Sequence, residues 1–217
     1  MKEITFKTEQ EWLDYRNNGL GGTDASSIIG RNPYKNIQEL YDLKIGTTKS
    51  EDISSKPAVK YGKEAEEPLR ELFKLDFPQY EVIHKPFTIY IHDEFPFLLG
   101  SFDGILADRE TGEMKILEVK TTNILQSMQR EKWNDRIPDN YFIQVLQYLL
   151  VSGYSEAILV AQLKSTWGGE MRKTTRHYTI KRDDHLADIE MIKNSQIRFW
   201  KQNIEKRIRP SLILPNI

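Results

Sequence analysis

Two short runs decide how this chain is read: Leu98-Leu99-Gly100-Ser101-Phe102-Asp103-Gly104 and Ile116-Leu117-Glu118-Val119-Lys120. Both have the apolar, branched composition of strands, yet each carries charge where a half-buried strand tolerates it least. Between them Arg109 to Glu113, with Gly112, has the composition of a tight connection, so the runs pair as an antiparallel hairpin. Side chains alternate along a strand, which puts Glu118 and Lys120 on one face, and pairing across the turn can bring Asp103 beside Glu118. Two adjacent carboxylates repel and lose hydration, so they need a compensating cation such as Mg²⁺. A metal ion lowers the pKa of bound water and stabilises charge on a phosphate oxygen, while an ammonium at Lys120 orients the nucleophile. Those are the requirements of phosphodiester hydrolysis. A cross-strand salt bridge of Asp103 or Glu118 with Lys120 accounts for the same residues equally well.

The acid-any-Lys triplet has little weight alone, because composition makes about three of them expected by chance. Three occur, ending at Lys44, Lys115 and Lys120, and only the last lies inside an apolar strand.

Outward from the hairpin, the period of the sequence changes twice. Glu81 to His92, Phe97 to Ala107 and Lys115 to Thr121 read as a β meander. Before it stand helices at Glu9 to Asn17, at a segment capped by Thr23 or Asp24 and running to Ile29, at Ile37 to Lys44 and at Lys60 to Phe73. Gly46 to Pro57, rich in Ser, Thr and Lys, is a surface loop. After the meander come helices at Asn123 to Trp133 and Asp139 to Ser152, strands at Ala157 to Leu163 and Lys173 to Ile180, and a long helix from Asp183 to Ile208. The expectation is one domain over residues 1–217, of α/β (α+β) class, with a central mixed β-sheet flanked by helices.

Composition narrows the function. The 217 residues are 39% hydrophobic and 29% charged, an ordinary folded chain. There is no cysteine, which excludes a disulfide framework, a thiolate metal site and a cysteine nucleophile. No apolar run approaches the roughly 18 residues that span a bilayer, and Met1 to Glu11 is not signal-like; the expectation is a cytoplasmic protein without membrane contact. The formal charge of −1 argues against a uniformly basic coat but permits a basic face. Lys164, Arg172, Lys173, Arg176, Lys181 and Arg182 stand against a single acid, Glu170, and Arg198, Lys201, Lys206, Arg207 and Arg209 follow. The four histidines have no ligand spacing and receive no catalytic role. Trp133, Trp167 and Trp200 read as core or interface, with Trp167 at the tip of the basic hairpin able to stack on a separated base.

Five ordered motifs extend the picture: Trp12 and Arg16 followed by Gly21-Gly22-Thr23-Asp24-Ala25-Ser26-Ser27-Ile28-Ile29-Gly30 and Asn32-Pro33-Tyr34; Tyr61-Gly62-Lys63-Glu64-Ala65-Glu66; Ser101-Phe102-Asp103-Gly104; Glu118-Val119-Lys120; and Tyr141-Phe142-Ile143-Gln144-Val145. In this order, over about residues 12 to 152, the chain resembles the YqaJ-type viral recombinases, the family that includes phage lambda exonuclease, within the PD-(D/E)XK nuclease superfamily. The resemblance implies a restriction-endonuclease-like core. It implies that Asp103, Glu118 and the carbonyl of Val119 bind the catalytic metal, Mg²⁺ or Mn²⁺, that Glu66 completes the acidic cluster, and that Lys120 activates water. It further implies that Arg16, Thr23, Ser101 and Gln144 hold the 5′-phosphate of a DNA end, a task suited to the planar fork of arginine and to hydroxyl and amide groups. The family more often has Ser where this chain has Thr23, which keeps the hydroxyl and adds a methyl group.

The function expected from the resemblance is a metal-dependent 5′ to 3′ exonuclease on linear double-stranded DNA, producing 3′ single-stranded tails for phage-type recombination in a bacterial host cell. A homotrimer and a single-strand annealing protein as partner are implied with it. The alternatives are an endonuclease of the same superfamily using Asp103, Glu118 and Lys120, and a non-catalytic DNA-binding module. Gln144 and Tyr148, four apart, are read beside this either as a nuclease element or as simple helix packing.

Overall fold

Strand β1 (Lys2–Thr5) opens the chain and is followed by three short helices, α1 (Glu9–Asn17), α2 (Gly22–Ile28) and α3 (Ile37–Lys44), and by the long α4 (Pro57–Asp76). The computed structural model describes residues 1–168 and 170–213, with the side chains of Ser127 and Trp167 also outside the description. Local chemistry sets the helix starts. The Thr8 hydroxyl accepts from Glu11 N at 3.2 Å, Asn36 accepts from Gln38 N and Glu39 N, and the Glu39 carboxylate returns the favour to Asn36 N at 2.8 Å, a reciprocal cap. Helix α4 begins on Pro57, whose missing N–H costs nothing in the first turn.

The remaining strands are β2 (Tyr80–Ile83), β3 (Thr88–Ile91), β4 (Leu99–Gly100), β5 (Gly104–Asp108), β6 (Met114–Ile124), β7 (Glu156–Trp167) and β8 (Glu170–Lys181). Helices α5 (Ser127–Glu131) and α6 (Asp139–Ser152) lie between β6 and β7, and α7 (Leu186–Phe199) follows β8. The five-stranded sheet has the order β2-β5-β6-β7-β8, and a three-stranded one the order β1-β3-β4. All pairs are antiparallel except β6 with β7, whose parallel junction requires a crossover, supplied by α6. The architecture is therefore the mixed sheet flanked by helices that the sequence predicts.

Alternation along β6 divides the molecule. Leu117 and Val119 face α4, where Ala65, Leu69 and Phe73 pack with Leu106, Ile158 and Val160. Ile116 turns the other way, into a larger core with Val145, Leu146 and Leu149 of α6, Ala25 and Ile28 of α2, and Ile189 and Ile192 of α7. Glu118 shares that second face with Ile116, so an acid enters a core because its strand neighbours have claimed both layers.

Four expectations are corrected. The run 81–92 is two strands, because Pro86 and Phe87, at φ +53, break it and deliver β3 to the smaller sheet. The run 97–107 is also two, with Ser101 to Asp103 leaving the ladder between β4 and β5. The helix expected at 123–133 is confined to α5, because β6 continues through Ile124 beside β7. Residues 183–208 hold a tight turn over Arg182–His185, then α7, then a wider turn over Trp200–Ile204, ended by Arg207 at φ +53. Strand β1 has too little apolar content to be foreseen. Trp133 is core, 2% exposed, while the side chain of Trp167 and residues 214–217 lie outside the described residues. Among the described residues no helix is long and apolar enough to cross a membrane.

Candidate active site

The β5–β6 hairpin pairs Gly104 with Leu117, so Asp103 and Glu118 stand one step beyond the last ladder pair. Asp103 has left its strand there, and its Oδ2 accepts the main-chain N–H of Val119 at 2.7 Å, filling the place of the lost backbone acceptor. Glu118 is 1% exposed. Its Oε1 accepts from Lys120 Nζ at 2.5 Å and from Gln144 Nε2 at 2.8 Å, and its Oε2 is buried without a hydrogen-bond partner among the described residues. Gln144 Nε2 also donates to Tyr148 Oη at 2.6 Å, so the pair four apart on α6 is spent on fixing Glu118.

The electrostatics follow from burial. Loss of hydration, reinforced by Asp103 and opposed by Lys120, pushes the Glu118 carboxyl up to about 8. Burial works against the charge of Lys120, but Glu118 and Asp103 outweigh it and hold the ammonium above its ordinary value. Glu66 of α4 is raised by burial and then by Asp103, with Lys120 and Arg70 pulling the other way. It is half-buried, whereas Glu64 and Glu67 are exposed; Glu66 is thus the acid of its motif that faces Asp103. His84 contributes a contact the sequence does not suggest: its Nδ1 lies 3.0 Å from the Asp103 carbonyl oxygen.

Can these residues hold a cation? Among the described residues no three acidic or histidine side chains converge tightly enough to do so unaided. The orphaned Glu118 Oε2, beside the repelling Asp103 carboxylate, nevertheless fits a hard divalent ion that takes two carboxylates and completes its shell with a main-chain carbonyl such as that of Val119 and with water. Glu66 lies behind Asp103 as a further negative charge.

A cavity of about 340 Å³ adjoins this group. Arg16, Thr23 and Ser101 line it, with Lys35, Lys44 and Tyr148. Arg16 is steadied by its guanidinium over the Trp12 ring, 4.4 Å from the centre, and the Ser101 hydroxyl donates to Thr88 O at 3.1 Å. Thr23 is not the cap of α2. Gly21 holds that position, and the Asp24 carboxylate accepts its N–H at 3.1 Å. Asp24, buried and drawn down by Lys44 against the cost of burial, pairs with Lys44 Nζ at 2.9 Å, which also donates to Arg16 O at 3.3 Å. Lys44 and Asp24 thus tie α1, α2 and α3 together under the cavity. Sequence reading misses this pair because its members are twenty positions apart on different helices. Gln144, expected among the cavity residues, is instead set behind it. Gly22 explains the contact: a Cβ there would stand 2.6 Å from Gln144 Cγ and 2.9 Å from Tyr148 Cε1, so only glycine lets α2 approach α6 this closely.

Comparison with known proteins adds three findings. The sequence pattern of the YqaJ-like viral recombinase domain matches residues 11–155. The uncharacterized protein YqaJ of Bacillus subtilis (strain 168) is 31% identical over 211 residues, which cover 94% of this chain and 59% of that protein; the chain spans about three fifths of the length of this curated relative. Among solved structures, the alkaline exonuclease LHK-Exo of Laribacter hongkongensis superposes with a TM-score of 0.63 at 16% identity, covering 92% of this chain and 96% of that one. A phage-related exonuclease of Haemophilus somnus 129PT gives 0.58 at 14%, over 87% and 96%. At such identities the likeness is one of fold, the restriction-endonuclease-like fold.

Proposed function

From the premise that the chain belongs to the YqaJ-like viral recombinase domain family, we propose that it is a metal-dependent deoxyribonuclease that digests linear double-stranded DNA from 5′-phosphorylated ends, 5′ to 3′, leaving 3′ single strands for recombination. The observation that carries the reading is the Glu118 carboxylate, buried in a strand with one oxygen orphaned and Asp103, Lys120 and Gln144 around it. A protein that only bound DNA would gain nothing from a buried acid facing a phosphate.

A bound Mg²⁺ or Mn²⁺ would neutralise the carboxylates, sharpen a water nucleophile and stabilise charge on the phosphate. The chain's own residues do the rest. Asp103 and Glu118, with the Val119 carbonyl, present a hard oxygen set; Gln144 and Tyr148 hold Glu118 in one rotamer; Lys120, kept charged by its two acidic neighbours, orients a water and faces the developing negative charge. Glu66 adds field from α4. Arg16, with Thr23 and Ser101, offers a fork and two hydroxyls to a terminal phosphate in the adjoining cavity, which favours an end-directed enzyme over an endonuclease built on the same acids. A homotrimer and a single-strand annealing partner belong to the proposal on the strength of the family resemblance.

The test is digestion in Mg²⁺ of a linear duplex with 5′-phosphoryl or 5′-hydroxyl ends and of a closed circle, with Lys120→Ala as control. Release of nucleotides from phosphorylated ends alone, lost in the variant, supports the reading. Cleavage of the circle replaces it with an endonuclease, and no metal-dependent cleavage of any substrate replaces it with a binding module.

A further inference from the structure

The basic charges of the β7–β8 hairpin do not all stand in solvent. Lys164 is only 9% exposed, and its ammonium lies 3.2 Å from the centre of the Tyr61 ring on α4. Lys173, directly opposite Lys164 in the register, places its ammonium 5.4 Å from the same ring. The ring is fixed by its hydroxyl, which donates to Gln162 Oε1 at 2.5 Å. Among the described residues neither lysine is in an ion pair, although Lys115 and Lys120 of the neighbouring strand both are.

The Lys164 side chain is nearly buried with no acid, among the described residues, beside its ammonium, and a second ammonium facing the same ring adds repulsion. The negative face of one aromatic ring offsets part of one cation; it does not balance two. Lys173 is exposed, but Lys164 does not extend into water as a lysine on an ordinary solvated hairpin does. Two ammonium groups held over one ring, with no acid among the described residues between them, suit an anion from outside the chain. Lys164 stands opposite Asn123, three positions along the strand pair from Lys120, and its side chain lies on the α4 face of the sheet, opposite the face of Glu118 and Lys120. We propose that Lys164 and Lys173, organised by Tyr61, form a phosphodiester-binding subsite for the DNA backbone on the α4 face of the sheet. The identification of the anion as DNA phosphate rests on the nuclease reading above; the unbalanced charge does not.

Binding tests the subsite separately from cleavage. The affinity of a fluorescently labelled short duplex, and of its single strand, is measured in EDTA against salt concentration for the wild type, Lys164→Met, Lys173→Met and Lys164→Arg, each with its melting temperature. Each methionine variant should flatten the slope of log affinity against log salt by about 0.9 for duplex or about 0.7 for single strand. The arginine variant should keep the slope, and Lys164→Met should melt no lower than wild type because it replaces an unpaired charge by an apolar stem. Unchanged slopes in both methionine variants, or a wild type that binds neither probe, overturn the proposal. So does a lower melting temperature in Lys164→Met with its slope intact, which is the signature of packing alone. Lys173 is exposed, so its variant keeps the test decisive if Lys164→Met fails to fold. Lysine-dependent binding without any cleavage would retain the subsite and refute the nuclease, and cleavage with unchanged slopes would do the reverse.

Discussion

Replacing Glu118 by glutamine should remove most of one pH-dependent term from the stability of the metal-free protein. The carboxyl, ordinarily near 4.5, is pushed up to about 8 by burial and then by Asp103, against the pull of Lys120. Between those values the folded chain holds a proton that the unfolded chain has released, so stability falls as pH rises through the window and levels off above about 8. One pKa unit corresponds to about 1.4 kcal/mol; three and a half units, from 4.5 to about 8, give a total loss of about 5 kcal/mol. The other groups differ in sign or window. Lys120 is held above its ordinary 10.5, so its contribution is fully present below that pH and constant across the window. His84, His92 and His177 are lowered, each by burial first, so they add stability as pH rises through about 6.5. Glu66 is raised, again by burial first, and acts in the same direction as Glu118.

Urea unfolding of wild type and Glu118→Gln in EDTA, compared at each pH, cancels these common terms. With a urea slope of about 2 kcal/mol per molar, the wild-type midpoint should fall relative to the variant by about 0.7 M for each pH unit between about 5 and about 8. Mg²⁺ should restore the wild type at the alkaline end and leave the variant where it is, because only the intact carboxylate pair gains from the ion. Parallel curves for the two proteins would mean that Lys120 already balances Glu118 in full. The acidic pair would then need no cation.

Three further outcomes test the site piece by piece. Lys120→Ala should lower the cleavage rate by on the order of 10²–10³, the usual effect of losing one preorganised charge-stabilising donor, with DNA binding in EDTA retained; near-normal rates would remove Lys120 from the chemistry. Arg16→Ala gives up a charge-assisted contact worth about 1.5–3 kcal/mol, so the preference for 5′-phosphoryl over 5′-hydroxyl ends should shrink by roughly tenfold to a hundredfold in competition digestion, with the 5′-hydroxyl rate unchanged. Gly22→Ala puts a methyl group 2.6 Å from Gln144 Cγ and should destabilise by about 1–3 kcal/mol through overpacking, as read by melting temperature; helix propensity alone predicts the opposite sign.

What was legible in the sequence, and what was not, divides by the range of the interactions. The α3 start at Asn36, the α6 stop at Gly153 with φ +72 and the hairpin through Gly112 depend on residues within one turn of themselves, and they stand where local chemistry puts them. The second sheet depends on β1 meeting β3 more than eighty positions away. Nothing local announces that pairing, and the composition of residues 81–92, Pro86 apart, is that of a single strand. Lys44 and Asp24 fail for the same reason.

The two charged sites show the division most sharply. Glu118 was found because it breaks a rule visible along its own strand: Ile116, Leu117 and Val119 are all buried, so an acid among them is anomalous before any fold is known. Lys164 breaks the same rule, but the sequence presents it only as one member of a basic face. Its run of basic residues reads equally as a solvated hairpin or as a face for DNA, and the ring that covers it belongs to Tyr61, about a hundred positions earlier on α4. A buried charge is legible when its strand neighbours bury it and illegible when a distant element does. Sites of the second kind are thus found only by asking, of each charge in the folded chain, what balances it.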